Sequence, residues 1–194
     1  MQVVNQKEVS YFEKIRVKGW SLFQIIGGAF FLAVLSQISI PLYPVPLSLQ
    51  TFGVFLLAIC QGGKGAAKSL IVYLMFASLG LPVLAFGVSR PLWILSPCAG
   101  YLAAFPIAAY LIGKRVETKG TASSLQIIGS LCIGNGVVFV LGVGYLTRFL
   151  SFAQSVSVGL LPFLPIEGIK ILGAASIGGL YFRWKNGGRN SLND

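Results

Sequence analysis

Two residues invite a chemical question. Glu167 and Lys170 lie in "LPFLPIEGIK" (Leu161–Lys170), a stretch that is otherwise apolar and carries two prolines. The segment that follows, "ILGAASIGGLYF", has no charge at all. A spacing of three puts the carboxylate and the ammonium on one helix face. A charge at the centre of a bilayer costs about 2.5–3.5 kcal/mol, so two of them need a reason. One reason is structural. Pro165 suits a first helical position, Glu167 then meets the positive end of the helix dipole, and Lys170 snorkels or pairs with it. The other is functional, and it is favoured here. Ionisable groups inside a membrane segment mark a ligand or ion path by default.

Further polar residues fall at the same end of the apolar segments. Gln50 opens one such segment, Tyr43 precedes it, and Arg90 stands beside Trp93 and Tyr101. These five complete the substrate-binding set with Glu167 and Lys170. Trp93 serves equally well as an interfacial anchor, a common role for tryptophan. Asn135, deep in another apolar run, reads as a helix–helix hydrogen bond.

The set of absences points away from catalysis. The chain has no histidine, and only Glu167 of its five acidic residues falls in an apolar segment. No carboxylate pair exists for acid–base work. Cys60, Cys98 and Cys132 are scattered through apolar runs and read as small hydrophobes, so no metal set forms. "QGGKGAAK" lacks the spacing of a phosphate-binding loop. The expectation is a non-enzyme with no catalytic residue, cofactor or metal. Any ATP hydrolysis comes from another chain.

The elements that position these residues follow from composition. Of 194 residues, 55% are hydrophobic and 10% charged, against about 25% charged in soluble domains. The expected class is an all-α integral membrane protein in the lipid bilayer. The N-terminal residues 1–19 are too polar for a signal-peptide core. Six spans are predicted at Ser21–Ile40, Ser48–Gly62, Ala66–Phe86, Pro91–Gly113, Ser124–Phe149 and Pro165–Trp184, with Pro82 kinking or stopping the third. Residues 1–20 and 185–194 are read as tails flanking a transmembrane domain over 21–184.

The net charge of +10 sits at the ends of apolar runs, without the aromatic interleaving of a nucleic-acid platform. No nucleic acid is expected. Twelve of the fifteen basic residues fall on one side: Lys7, Lys14, Arg16, Lys18, Lys64, Lys68, Lys114, Arg115, Lys119, Arg183, Lys185 and Arg189. Arg90 and Arg148 fall on the other, and Lys170 belongs to neither set. The positive-inside rule then makes both termini cytoplasmic. The proline-broken segments and the polar residues converge on the outer face. Irregular backbone at membrane depth is tolerated only when buried or lining a cavity, so a pocket open to the outside is expected. Small residues repeat at a spacing of four, Ala29 with Ala33 and Ala174 with Gly178. Such faces serve internal packing or the docking of another membrane protein.

Four segments carry a resemblance: "PVPLSLQTFGV" (Pro44–Val54), "YLMFASLGLPVLAFG" (Tyr73–Gly87), "PCAGYLAAFPIAAYLIG" (Pro97–Gly113) and "LPFLPIEGIK". The sequence from about Ala29 to Gly178 resembles the biotin-specific substrate-binding subunits (S components) of energy-coupling-factor vitamin transporters, the BioY family. The resemblance implies six helices, an outward pocket for biotin, and a multi-pass protein of a bacterial-type cell (inner) membrane. It maps the family's acidic residue and lysine onto Glu167 and Lys170, which hold polar groups of the ligand. Biotin has a ureido ring with two N–H donors and a carbonyl, and a carboxylate tail. A carboxylate and an ammonium on one face can match both sides of that ring. The resemblance further implies a transmembrane coupling subunit and ATPase subunits as partners, with Ala29 and Ala33 as the docking pair.

The chain also departs from the family pattern. Ile166–Glu167 replaces glycine–aspartate, Cys98 a threonine and Ala99 a glycine. Arg90 is then placed to take the biotin carboxylate. The alternatives are an S component for another vitamin and, in another class, a small membrane enzyme acting on lipid.

Overall fold

The computed structural model describes residues 6–117 and 123–190, with side chains described over 21–117 and 123–184. Lys119 and the side chains of Lys7, Lys14, Arg16, Lys18, Lys185 and Arg189, which enter the charge reading above, lie outside that set.

Six α-helices make up the described chain: α1 Gln6–Gln37, α2 Gln50–Ser78, α3 Ala99–Glu117, α4 Ser124–Leu146, α5 Phe152–Gly159 and α6 Leu164–Asn190. Single 3-10 turns lie at Ala85–Gly87 and Trp93–Leu95. The one departure from an all-helical chain is a two-residue ladder. Strands β1 (Ser39–Ile40) and β2 (Leu47–Ser48) pair antiparallel, Ser39 with Ser48 and Ile40 with Leu47, and so close the proline-rich loop between them. By length and composition α2 and α4 can each cross a membrane, and α5 with α6 form a third candidate span bent by 47°.

α2 is two arms rather than one rod. Gly62 has φ 72° and ψ 177°, a conformation that glycine adopts readily and other residues avoid. The Gln50 amide donates to the Tyr73 hydroxyl at 2.6 Å. An unbroken helix would hold those residues roughly 35 Å apart at 1.5 Å per residue. The chain therefore folds back at Gly62, and the arms before and after it correspond to the second and third predicted spans.

Three boundaries differ from the sequence reading. The arm after Gly62 ends at Ser78, with Leu79 as its C-cap and Gly80 at φ 83°. It stops before Pro82 instead of running to Phe86. The span predicted from Pro91 begins as a helix only at Ala99, because residues 91–98 form turns. The short helix α5, capped by a reciprocal Ser151–Gln154 box, lies in what was read as a loop.

α2 packs most extensively on α3, α3 on α4, and α1 on α2. Small residues permit the α2–α3 approach. A side chain at Gly113 would run into the backbone of Gly62 and Gly63, and one at Gly62 into the Glu117 carboxylate. The core, including Leu32, Phe55, Leu70, Tyr73 and Ile112, is fully enclosed. The outward residues are no less apolar: Leu125, Val140 and Ile169 are each more than two-thirds exposed. A surface of that kind suits hydrocarbon rather than water, and it identifies a membrane protein.

Candidate functional site

Glu167 falls in the first turn of α6, and its backbone N–H donates to the Phe163 carbonyl at 2.8 Å. Lys170 follows one turn later. Their side chains form an ion pair of 2.6 Å, and both are buried. Strand β2 and the first turn of α2 supply the remaining partners. Lys170 Nζ also donates to the Ser48 carbonyl at 2.6 Å and to Thr51 Oγ1 at 2.9 Å. Thr51 Oγ1 in turn donates to Glu167 Oε1 at 2.7 Å. An ammonium has three N–H donors, so the protein itself takes up the whole hydrogen-bonding capacity of Lys170. The pair thus ties α6 to the start of α2, across more than a hundred residues of chain.

Glu167 keeps one oxygen free. Three buried side-chain atoms lack a partner among the described residues: Glu167 Oε2, Asn135 Oδ1 and Ser155 Oγ. Two of these belong to residues lining one small cavity of ≈ 50 Å³, together with Gln50, Thr51, Tyr101 and Lys170. Its apolar wall includes Phe139 and Phe163, whose rings meet edge to face with centroids 6.4 Å apart. A buried polar atom without a partner costs free energy that only water or a ligand can recover.

A second, larger cavity of ≈ 380 Å³ adjoins the first. Both are lined by Pro46, Gln50, Cys98 and Leu102. Its outer wall comes from the β1–β2 loop, including Tyr43, and from the segment carrying Phe86 and Arg90. The Ser36 hydroxyl and the Gln37 amide, at the end of α1, hold that segment through the carbonyls of Val83 (2.6 Å) and Leu84 (3.3 Å). The result is a two-lobed space. The inner lobe is small and holds the buried charges. The outer lobe is wide and has an exposed guanidinium on its wall.

Six of the seven residues predicted to bind substrate line one lobe or the other. Glu167, Lys170 and Tyr101 line the inner lobe, Arg90 and Tyr43 the outer, and Gln50 both. Gln50 is also fixed to the protein, accepting from Ser48 Oγ at 2.9 Å and donating to Tyr73. Tyr101 donates to the Gly159 carbonyl at 2.9 Å, so it braces α3 against α5. Trp93 does not join the set. It lines neither lobe, and its indole N–H donates to Ser78 Oγ at 2.9 Å, which pins the 3-10 turn to the end of α2.

Two sequence expectations are corrected. Ala29 and Ala33 are 0% and 9% exposed. They face the chain's own interior and serve packing, not a free docking face. Ala174 and Gly178 are buried likewise. Cys98 is more than a small hydrophobe, since it lines both lobes and its thiol donates to the Pro44 carbonyl at 3.7 Å.

Thr51 went unassigned in the sequence. Its signal was a hydroxyl one residue after Gln50 on an apolar helix. In place of the expected helix–helix hydrogen bond, the Asn135 oxygen has no partner among the described residues, and Asn135 lines the inner lobe.

A helical membrane protein with an enclosed, partly charged cavity is the class that fold and site define. The same fold occurs in a solved structure described as the S-component for biotin from an ECF-type ABC transporter. The TM-score is 0.76 at 24% identity, over 88% of this chain and 93% of that one. The chain belongs to the BioY family, whose family model matches residues 8–186. Among relatives, the biotin transporter BioY of Thermotoga maritima is 35% identical over 158 residues, which is 79% of this chain and 92% of that protein. The probable biotin transporter BioY of Pyrococcus horikoshii is 34% identical over 153 residues, 77% of this chain and 90% of that one.

Proposed function

We propose that this protein is the membrane-embedded biotin-binding subunit of an uptake transporter and carries no enzymatic activity of its own. The observation that carries this reading is the buried Glu167, held by Lys170 and Thr51 with one oxygen left free at the inner end of a two-lobed cavity. A ureido ring entering the inner lobe brings N–H donors to that carboxylate. The aliphatic tail then lies in the outer lobe, and its carboxylate meets Arg90. Lys170 acts chiefly by holding and aiming Glu167, because its own hydrogens are already committed. Tyr101, Gln50 and Tyr43 complete the walls, while Trp93 supports the loop from behind.

On this reading α1, the two arms of α2, α3, α4 and the bent α5–α6 pair make six crossings. Both termini are cytoplasmic, the outer lobe opens outward, and the protein resides in the cell membrane as a multi-pass subunit. The basic loop residues support that orientation. A transmembrane coupling subunit and ATPase subunits are the expected partners, since the chain has no phosphate-binding loop. They dock elsewhere than on the Ala29–Ala33 pair.

The test is the thermal stability of the purified protein with and without biotin. A ligand that binds only the folded state, at a hundred times its dissociation constant, adds about 2.7 kcal/mol. Biotin should raise the melting temperature, while thiamine and riboflavin should not. Stabilisation by another vitamin and not by biotin would reassign the substrate.

A further inference from the structure

We infer that Asn135 is a specificity-determining residue of this site: its Oδ1 accepts one N–H of a cyclic urea while Glu167 Oε2 accepts the other. This rests on the reading of the cavity as a biotin site and adds a second acceptor to it. Asn135 is 7% exposed and Glu167 3%. They stand on different helices, α4 and α6, and both line the inner lobe. Each carries an oxygen with no partner. The other buried groups at the inner end are committed. Lys170 has spent its three donors, Thr51 both donates and accepts, and Gln50 is tied to Ser48 and Tyr73.

The lobe thus offers two open acceptors, and among these groups the donors left over are amide N–H groups of Asn135 and Gln50. A matching ligand must bring two N–H groups into a space of this size. A five-membered cyclic urea does so, with its donors on opposite edges of one rigid ring. A lactam or lactone of the same shape brings one donor or none, and would leave an acceptor buried and unpaired. The carboxylate alone cannot make this distinction, because a single acceptor is satisfied by a single donor. Discrimination between two donors and one needs the second oxygen, and Asn135 supplies it. An asparagine at this place also adds no charge beside Glu167, which an aspartate would.

The experiment is a cycle of one variant against three ligands. Biotin and its two mono-N-methyl isomers, each lacking one ring N–H, are titrated by calorimetry into the parent and into Asn135→Ala. The parent should bind either isomer at least about tenfold more weakly than biotin. Asn135→Ala should bind biotin at least about tenfold more weakly than the parent. It should then bind one isomer nearly as well as biotin, within about twofold, because the donor that isomer lacks no longer has an acceptor. The other isomer, which lacks the N–H facing Glu167, should keep its full penalty.

Melting curves without ligand separate this from a structural role. Removing an unpartnered oxygen should not lower the ligand-free melting temperature, whereas loss of a helix–helix bond would. Asn135→Cys, close to asparagine in volume and with at most a weak acceptor in its thiol, gives the same comparison should the alanine variant fold poorly. If Asn135→Ala binds biotin as the parent does, or if both isomers keep their penalties, the assignment to Asn135 is overturned while the biotin reading stands. An amide turned the other way, donating to the ring carbonyl, gives that second pattern. If the parent binds neither biotin nor the isomers, both readings fall together.

Discussion

Replacing the ion pair of α6 one partner at a time, and then both together, separates its structural role from its binding role. In Glu167→Gln the Lys170 ammonium stays buried and loses the carboxylate 2.6 Å away. It keeps only neutral partners: the Ser48 carbonyl, the Thr51 hydroxyl and the amide oxygen of the replacement side chain. Breaking a buried pair from one side costs about 3–5 kcal/mol. The hydrogen bonds to Ser48 and Thr51 survive, so the lower end of that range applies. At about 2–4 °C per kcal/mol for a chain of this size, the ligand-free melting temperature should fall by about 6–12 °C. Lys170→Met leaves a buried carboxylate that still accepts from Thr51, so its loss should be no larger. The double variant removes both charges. Neutral replacements for a buried pair are often no less stable than the pair itself, so the double variant should melt above Glu167→Gln and close to the parent.

Biotin binding should not follow stability. A hydrogen bond to a charged group is worth about 1.5–3 kcal/mol, roughly ten- to a hundredfold in affinity. Both Glu167→Gln and the double variant should lose that much by calorimetry, the double variant despite its recovered fold. A double variant less stable than Glu167→Gln would refute the pairing argument. A double variant that binds biotin as the parent does would refute the role of Glu167 as acceptor and make the pair purely structural.

Arg90→Ala, at an exposed position on the outer lobe, should weaken biotin severalfold and leave biotin methyl ester unaffected. The effect should shrink at high salt, where exposed charges are screened, and titrations at two ionic strengths check it. Ala29→Trp should prevent folding, because the alanine is 0% exposed inside the chain; a well-expressed, biotin-binding variant by size-exclusion chromatography would contradict that packing. A single cysteine at position 64 or 68, in a background without native cysteines, should react with an impermeant maleimide only after intact cells are opened. Labelling in intact cells would invert the proposed orientation.

The helices were legible because the sequence is written in long apolar runs closed by basic residues, and that pattern survives any detail of packing. The reversal inside α2 was legible for the same reason. Two apolar runs flank "QGGKG", and the turn falls on Gly62. Helix ends were less so. Residues 91–98 are as apolar as a span, but Pro91 and Pro97 withhold backbone donors, and the chain forms turns there. Short α5 was missed because eight residues between two loops give too few turns for a period to show. At the site, Glu167 and Lys170 stood out by charge alone. Thr51 did not, because a hydroxyl in an apolar helix usually bonds its own backbone. Its role as the link between the two charges depends on where α6 crosses α2. Ala29 and Ala33 failed differently: close spacing of small residues marks a close approach, and it carries no information about whether the approaching helix belongs to the same chain.

The ligand site and the tightest backbone contacts lie at opposite ends of the first arm of α2, and this division has a physical logic. At the Gly62 end, glycine meets glycine across α2 and α3, and no side chain intervenes. That contact fixes the angle between the arms with nothing left to adjust. Along the first arm, Gly53 and Ile59 are held against Leu32 of α1 and Gly178 of α6. Ser48 and Thr51, at the other end, therefore arrive at Lys170 already positioned. The cost of ordering the charged cluster falls on folding rather than on binding. What folding does not satisfy at the inner lobe are the free oxygens of Glu167 and Asn135, each worth about 1–3 kcal/mol while unpaired. A fold rigid at one end can hold such unpaired groups at the other without collapsing onto them. The free energy withheld there is available to a ligand with the complementary donors, and to no ligand without them.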